Sequence, residues 1–400
     1  MAPCIEVNLT DVDLYYVNKI QSENKNWAWW LNNLGTLVVF IIGFFGNILC
    51  LLVLCRRRLR RNSYTQYLIV LAIVDTGAIF AEVISALDEL HQFEYKLTLI
   101  AHTNASCKLY NYIRYIFYSM SSWIVVALAI ERVIAIKFPL WSKTICTVVN
   151  ARRIILIILL FTMFIQSYHL IIKGLDCSPS VSSTRVCRCK TIRHHTYLKL
   201  DIIFTVYVWR LFLMTLLPSA MIITANILIM NKLFHEGSLL DHTNVIDNAQ
   251  HKMKVLYKIS RMLVIVTSIY LLLHVPGSSL DIIKYMYISV FKMCNVKWKY
   301  YIYMSHEIFD LLTNFNYGIN FYLYIISGKH IRNELVRAVK HSPLRSKSSV
   351  ENYNYRRSSC FMSSSVLSSR NHQARYSNVP LSEWRNGSCQ QRLPLCDEHQ

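Results

Sequence analysis

The chain has 400 residues and is 54% hydrophobic but only 16% charged, too apolar for two or three soluble domains of ordinary composition. A formal net charge of +20 would also suit a nucleic-acid-binding protein, but the basic residues cluster in short segments between long apolar runs. Membrane orientation accounts for that pattern, so an integral membrane protein is expected, with no nucleic-acid partner.

Residues 1–27 are polar and lack the apolar core of a cleavable signal peptide, so the first apolar run is expected to act as the insertion signal. The uncharged runs 31–55, 154–172, 211–231, 262–280 and 311–328 each approach the roughly 20 residues that cross a bilayer as a helix. Residues 64–81, interrupted only by Asp75, and 115–130, bounded by Arg114 and Glu131, bring the spans to seven and put the termini on opposite sides. With the N-terminus outside, the inner segments 56–63, 137–153, 232–261 and 329–400 hold 26 of the 43 Lys and Arg residues, and the outer ones hold 14, not counting Arg114 and Arg210 at the span ends. The positive-inside bias predicts that orientation. The sequons at Asn8 and Asn104 then lie outside as glycosylation acceptors, whereas the one at Asn386 lies inside and stays bare.

The first span carries Gly46-Asn47, a pair that suits close helix packing plus a polar side chain bonded to a neighbour's backbone. Five Arg in residues 56–61 anchor the first inner turn. Asp75 lies deep in the second span, where an unpaired carboxylate costs several kcal/mol, so it must be protonated, paired or ion-bound. The third span ends in Glu131-Arg132 and is followed by Pro139-Leu140. Charges at such a rim mark function more often than chance. Pro218 sits mid-way in the fifth span with Asn226 below it, Tyr270, His274 and Pro276 lie in the sixth, and Asn316, Asn320 and Tyr324 in the seventh. Beyond it, Ile331, Leu335, Val336 and Val339 fall on one helical face and Lys329, Arg332, Arg337 and Lys340 on the other, an amphipathic helix lying on the inner surface. From Ser342 onward the chain is Ser-rich, basic and without apolar periodicity, which reads as a disordered tail.

Together these residues resemble the rhodopsin-like (class A) G-protein-coupled receptors, and the run from Asn320 through Tyr324 to Ser327-Gly328-Lys329 looks like that of invertebrate neuropeptide receptors. Val133 replaces the aromatic after Glu131-Arg132, His274 the sixth-span Trp and Phe321 the seventh-span Pro, and the fourth span lacks the usual Trp. The resemblance implies an all-α fold in the plasma membrane: an outer segment 1–33, a seven-helix bundle 34–327, the amphipathic helix 328–341 and the tail 342–400. It implies coupling to a heterotrimeric G protein through Glu131, Arg132 and Tyr324, with Arg132 paired to Glu131 at rest because the base of the sixth span offers Lys252, Lys254 and Lys258 rather than an acid. Arrestin would recognise the tail after phosphorylation around Ser358-Ser359 and 363–369.

A bridge from Cys107 to Cys177, Cys187 or Cys189 is implied in the same way, with Cys187 the preferred partner and Cys189 next. Asp75, Ser121, Asn316 and Asn320 match the family's sodium site, and Na+ is the one ion expected. Zinc is not, because Cys187-x-Cys189 with His194 and His195 lacks a second ligand pair. A ligand pocket would open outward with Arg114, Arg210, His274, Glu307 and Asp310 in it and Glu82 near by, Arg114 pairing first with Asp310 and Tyr207, Tyr270 and Phe309 giving apolar contact. So many charges favour a peptide bearing a cation and amide carbonyls over a lipid or other small molecule, the alternative ligands for this frame. Retinal is excluded by the absence of Lys from 311–328, and an amine by Arg114 where an acid would be needed. A secondary transporter would show two matching halves, and no internal repeat is visible.

Overall fold

The computed structural model describes residues 26–95, 103–179, 185–192, 195–241, 248–287, 295–327, 332, 333 and 335–337. Asn8 and the Ser-rich tail lie outside them. Seven long helices follow in order: Trp27–Leu54, Ser63–Tyr95, Asn104–Lys137, Val148–Gln166, a fifth that is π-wound over Ile202–Leu216 and α-helical over Leu217–Asp241, Asn248–Tyr285 and Val296–Ser327. They are called the first to seventh helices below. The first begins a turn before its uncharged run, inside the segment assigned as 1–33, because Asn26 caps it by accepting the Trp29 N–H at 2.8 Å. The third starts at a capping box between Thr103 and Ser106. Pro276 lies inside the sixth, the position at which a kink is expected.

Six of the helices are long and apolar enough to cross a membrane. The seventh has the length, 32 residues, but its first half carries Lys297, Lys299, His306, Glu307 and Asp310, which lowers its hydropathy. Burial ranks the helices by position in the bundle. The third is 72% buried over its apolar window and forms the axis, whereas the fourth is 17% buried and turns Leu156, Ile157, Leu160 and Phe164 outward. An apolar exterior of this kind is what a bilayer, not water, stabilises.

First and seventh helices meet backbone to backbone at two glycines. A Cβ added to Gly43 would stand 2.7 Å from the Gly318 Cα, so only glycine fits that contact. Polar bonds flank it: Asn47 Nδ2 donates to the Tyr317 carbonyl at 3.1 Å and Asn314 Nδ2 to Thr36 Oγ1 at 3.0 Å. The Gly46-Asn47 pair therefore does what its sequence suggests, with Gly43 as the tighter contact. Between fifth and sixth helices, Thr267 Oγ1 donates to Asn226 Oδ1 at 2.9 Å and Asn226 Nδ2 to Ser268 Oγ at 3.2 Å.

The single sheet among the described residues is a hairpin of β1, Lys173–Pro179, and β2, Arg185–Thr191. Its register corrects the expected bridge: Cys107 is joined to Cys189, not to Cys187. The reason is where β1 is pinned. Leu175 N–H donates to Asn104 Oδ1 at 2.8 Å, and Leu175 pairs with Cys189, so Cys189 is the cysteine laid over the first turn of the third helix. Cys187 is paired two residues farther along, opposite Cys177. Asn104 thus helps to dock the hairpin, and it remains exposed. Of the amphipathic segment, residues 332, 333 and 335–337 are helical, with Leu335 packed against the core.

Replacing Gly43 by Val should separate the first and seventh helices and destabilise the bundle by about 1–3 kcal/mol. The check is thermal unfolding of the detergent-solubilised protein, in which Gly43→Val unfolds several degrees lower and Phe45→Val, altering an exposed neighbour, does not.

Candidate functional site

A cavity of about 440 Å³ opens at the hairpin end of the bundle, bounded by every long helix but the fourth and by Cys189 and Lys190 of β2. Its size is that of an ordinary ligand site. Arg114 of the third helix forks onto Glu82 of the second, one nitrogen 3.2 Å from both carboxylate oxygens, and donates from another to Ser85 Oγ at 2.9 Å. Tyr118, one turn on, accepts from Arg114 Nε and donates to Glu82, so the ion pair and the phenol close a ring of charge-assisted bonds. The Tyr118 ring in turn stacks on Tyr317 of the seventh helix, 5.7 Å between centroids.

The expected Arg114–Asp310 pair does not form. Asp310 is taken by His306, one turn earlier on its own helix, whose Nδ1 lies 3.0 Å from the Asp310 carboxylate and whose Nε2 lies 2.6 Å from that of Asp281 in the sixth. Glu82 is thus paired with Arg114, and Asp281 and Asp310 share His306. His306 and Asp281 were missed from the sequence, although the i,i+4 spacing of His306 and Asp310 was a readable signal. Glu307 does not line the cavity. One residue past His306 it points about 100° round the helix, toward the first helix, where it accepts from Asn32 Nδ2 at 2.8 Å. His274 lies at the cavity wall, 3.3 Å from Ser278 Oγ, stacked on Tyr270 with centroids 5.2 Å apart. Tyr270 itself is buried below it and donates to Ser122 Oγ at 2.7 Å, so it is not offered to a ligand. The Arg210 side chain lies outside the described residues.

The hairpin is held over this cavity by a second ion pair. Lys173 of β1 stands 3.4 Å from Asp201, which also accepts from Thr205 at 2.6 Å. Burial alone would raise the Asp201 pKa, but Lys173 and the Thr191 and Thr205 hydroxyls outweigh it and hold the carboxyl below its ordinary value.

Below the cavity, Asp75 is fully buried. Its Oδ1 accepts from Ser121 Oγ of the third helix at 2.6 Å and its Oδ2 from Asn320 Nδ2 of the seventh at 2.6 Å, while Asn316, one turn before Asn320, is also buried. At the opposite end of the third helix, Arg132 lies 3.3 Å from Glu131, and Glu131 accepts from Ser63 at the start of the second. Cys146 points its thiol at the Glu131 carbonyl, 3.9 Å away, and burial, then the Glu131 charge, pushes that thiol up to about 11, so it stays neutral. Tyr324 is buried in the seventh helix near this end.

The family model described as "7 transmembrane receptor (rhodopsin family)" matches residues 46–324, which run from Gly46 through Asp75 and Arg132 to Tyr324. The chain belongs to this receptor family. Among curated relatives, this receptor is 30% identical over 122 residues to the thyrotropin-releasing hormone receptor of Gallus gallus, a stretch covering 30% of each chain. With that of Homo sapiens it is 29% identical over 126 residues, 32% of this chain and 30% of the relative. The sex peptide receptor of Drosophila melanogaster is 26% identical over 231 residues, 54% of this chain and 50% of that one. The matches thus span about three tenths to a half of the length of these relatives. As a rhodopsin-family member the receptor is a multi-pass membrane protein, and its departures at Val133, His274 and Phe321 leave the buried positions filled: His274 and Phe321 are both packed inside the bundle.

Glu82 and Arg114 are largely shielded from water, so removing one leaves the other uncompensated. Glu82→Gln should lower stability by on the order of 2 kcal/mol, and adding Arg114→Gln should recover part of the loss. Thermal unfolding of both single variants and the double variant measures this. Additive losses would show that the pair is not coupled.

Proposed function

We propose that this receptor binds an extracellular peptide in the cavity over Arg114 and His306 and transmits that binding to a heterotrimeric G protein through Glu131, Arg132 and Tyr324, with its N-terminus outside. The observation that carries the ligand class is the cavity's charge inventory. Glu82, Asp88, Glu89, Asp281 and Asp310 line it with Arg114, Lys190 and His306, an acidic surplus that suits a ligand carrying a cation, and the Arg114 fork suits amide carbonyls. An uncharged lipid would leave these groups to be desolvated without return. The Drosophila relative is named for a peptide and the vertebrate ones for a hormone, which agrees.

The G-protein side rests on the family and on a buried Glu131-Arg132 pair whose guanidinium is held inside the bundle until something draws it out. The serine-rich tail, outside the described residues, would serve arrestin recognition once phosphorylated. In cells with calcium and cyclic-nucleotide reporters, a library of amidated peptides should yield an agonist. Against it, Asp310→Asn and Arg114→Gln should each lose at least tenfold in potency, about 1.4 kcal/mol, at unchanged surface level. Arg132→Ala should bind that peptide and fail to signal. An agonist indifferent to both cavity substitutions would refute the peptide assignment, and full signalling by Arg132→Ala would refute the coupling role.

Asp75 fits a sodium site on the evidence of its own surroundings. It is a fully buried carboxylate with the Ser121 hydroxyl on one oxygen and the buried Asn316 a turn from its other partner, all hard oxygen ligands. Asp75, Ser121 and Asn316 would hold the ion, whereas Asn320, expected as a fourth ligand, turns its Nδ2 donor on Asp75 Oδ2 and would hold the carboxylate in place; the ion would supply the positive charge that the carboxylate otherwise lacks. Binding confined to the resting arrangement would oppose activation by mass action. Agonist affinity should therefore fall as sodium replaces a large organic cation at constant ionic strength, and Asp75→Asn should abolish the dependence. A wild-type affinity that ignores sodium would make the cluster purely structural.

A further inference from the structure

The resting position of Arg132 needs a partner beyond Glu131. Adjacent residues on a helix do not face each other, so a neighbour in sequence orients a guanidinium poorly. The sixth helix, Asn248–Tyr285, contains one acid along its whole length, Asp281, and that residue is at the hairpin end bonded to His306. Lys258 and Arg261, its described charges near the Arg132 end, are of the wrong sign. No carboxylate on the sixth helix is in place to bridge to Arg132.

The second helix supplies something else. The Tyr64 ring lies under the Arg132 guanidinium, 4.8 Å from its carbon to the ring centroid, and both side chains are buried. The residue before it, Ser63, donates to Glu131. Two consecutive residues at the start of one helix therefore grip both members of the pair, the hydroxyl taking the acid and the aromatic face taking the base. A guanidinium over a ring in a desolvated site is attracted by the ring's quadrupole, and among the described residues Arg132 Nε has no hydrogen-bond partner that would hold it there instead.

We propose that Tyr64 is the positioning residue that keeps Arg132 folded inward in the resting receptor, the π-face of its ring standing in for a carboxylate bridge from the sixth helix. This rests on the coupling role proposed for Arg132. The contact joins the second and third helices, so the sixth is free of it: outward movement of the sixth opens the cleft, and Arg132 is released only when its cation–π contact is exchanged for a partner protein's groups. The second-helix origin also predicts an unusual insensitivity. Substitutions of Lys258 or Arg261 should leave basal activity unchanged, because neither holds the lock.

Because the contact needs an aromatic face and not a hydroxyl, two substitutions separate it from packing. Ligand-independent guanine-nucleotide exchange would be measured in membranes from cells expressing the full-length receptor at equal surface level together with a mixture of G-protein heterotrimers. Tyr64→Leu, which keeps an apolar side chain and removes the ring face, should raise basal exchange about tenfold. Tyr64→Phe, which keeps the ring, should stay at the wild-type level, and Tyr64→Leu combined with Arg132→Ala should be silent. Equal basal exchange in wild type, Tyr64→Leu and Tyr64→Phe, with Arg132→Ala still inactive toward agonist, would overturn the lock and leave the coupling role standing. Exchange by Arg132→Ala at the wild-type agonist level would overturn the coupling role itself. A rise in Tyr64→Phe equal to that in Tyr64→Leu would assign the restraint to the hydroxyl and refute the ring.

Discussion

A carboxylate buried where no water reaches it has to be satisfied by protein, and the helices that satisfy it are fixed relative to one another. Asp75 imposes that condition here. It accepts from the third helix at Ser121 and from the seventh at Asn320, so three of the seven helices share one set of hydrogen bonds at the centre of the bundle. Arg114 lies seven residues before Ser121 and Arg132 eleven after it, about 10 and 16 Å along the same helix axis. The cavity and the Glu131-Arg132 end are therefore two ends of one rigid element, and the Asp75 cluster is the clamp between them.

The position of the third helix also accounts for the silence of the fourth. Only Ala151, Thr162 and Gln166 of Val148–Gln166 are buried, and of these Gln166 reaches the third helix, donating to Ser119 Oγ at 2.9 Å. A helix whose outer face meets lipid is constrained to be apolar and little else, so a missing Trp there removes no contact on which the bundle depends. The opposite holds for the first and seventh helices, where Gly43, Gly318, Asn47 and Asn314 each have a specific neighbour.

What could be read from the residues follows the same division. Uncharged run length located the spans, and the charged or polar residues inside them marked Asp75, Glu131, Arg132 and Asn320 as the positions that need partners. Which partner each one takes was not readable in the same way. Cys187 and Cys189 differ by two residues in a strand, and the choice between them is made by one hydrogen bond from the Leu175 N–H to the Asn104 side chain, a tertiary contact with no local signature. Glu307 and Asp310 differ by a few residues on a helix, and rotation about that helix sends one to Asn32 and the other to His306. Charge alone pairs Arg114 with an acid across the cavity. Glu82, on the adjacent helix, reaches it with better geometry, both carboxylate oxygens on one nitrogen and Tyr118 closing the ring.

Those completed pairs change how a ligand is able to act. Arg114 and His306 are already engaged by Glu82 and by Asp281 and Asp310, so at these groups a ligand gains little by adding a contact and more by exchanging one, taking the place of Glu82 at Arg114 or of His306 at Asp310. An exchange at Arg114 is not local. Tyr118 belongs to the same ring of bonds and stacks on Tyr317, whose carbonyl accepts from Asn47 and which lies three residues from Asn320 at the Asp75 clamp. A ligand shifts an equilibrium only by its difference in affinity between two arrangements, and here the arrangements differ in which group Arg114 and Tyr118 hold. Affinity gained from apolar contacts that both arrangements share would tighten binding without moving the seventh helix. Efficacy in the proposed reading should therefore follow the ligand's polar end, and a hydrophobic extension alone should raise affinity and leave efficacy where it was.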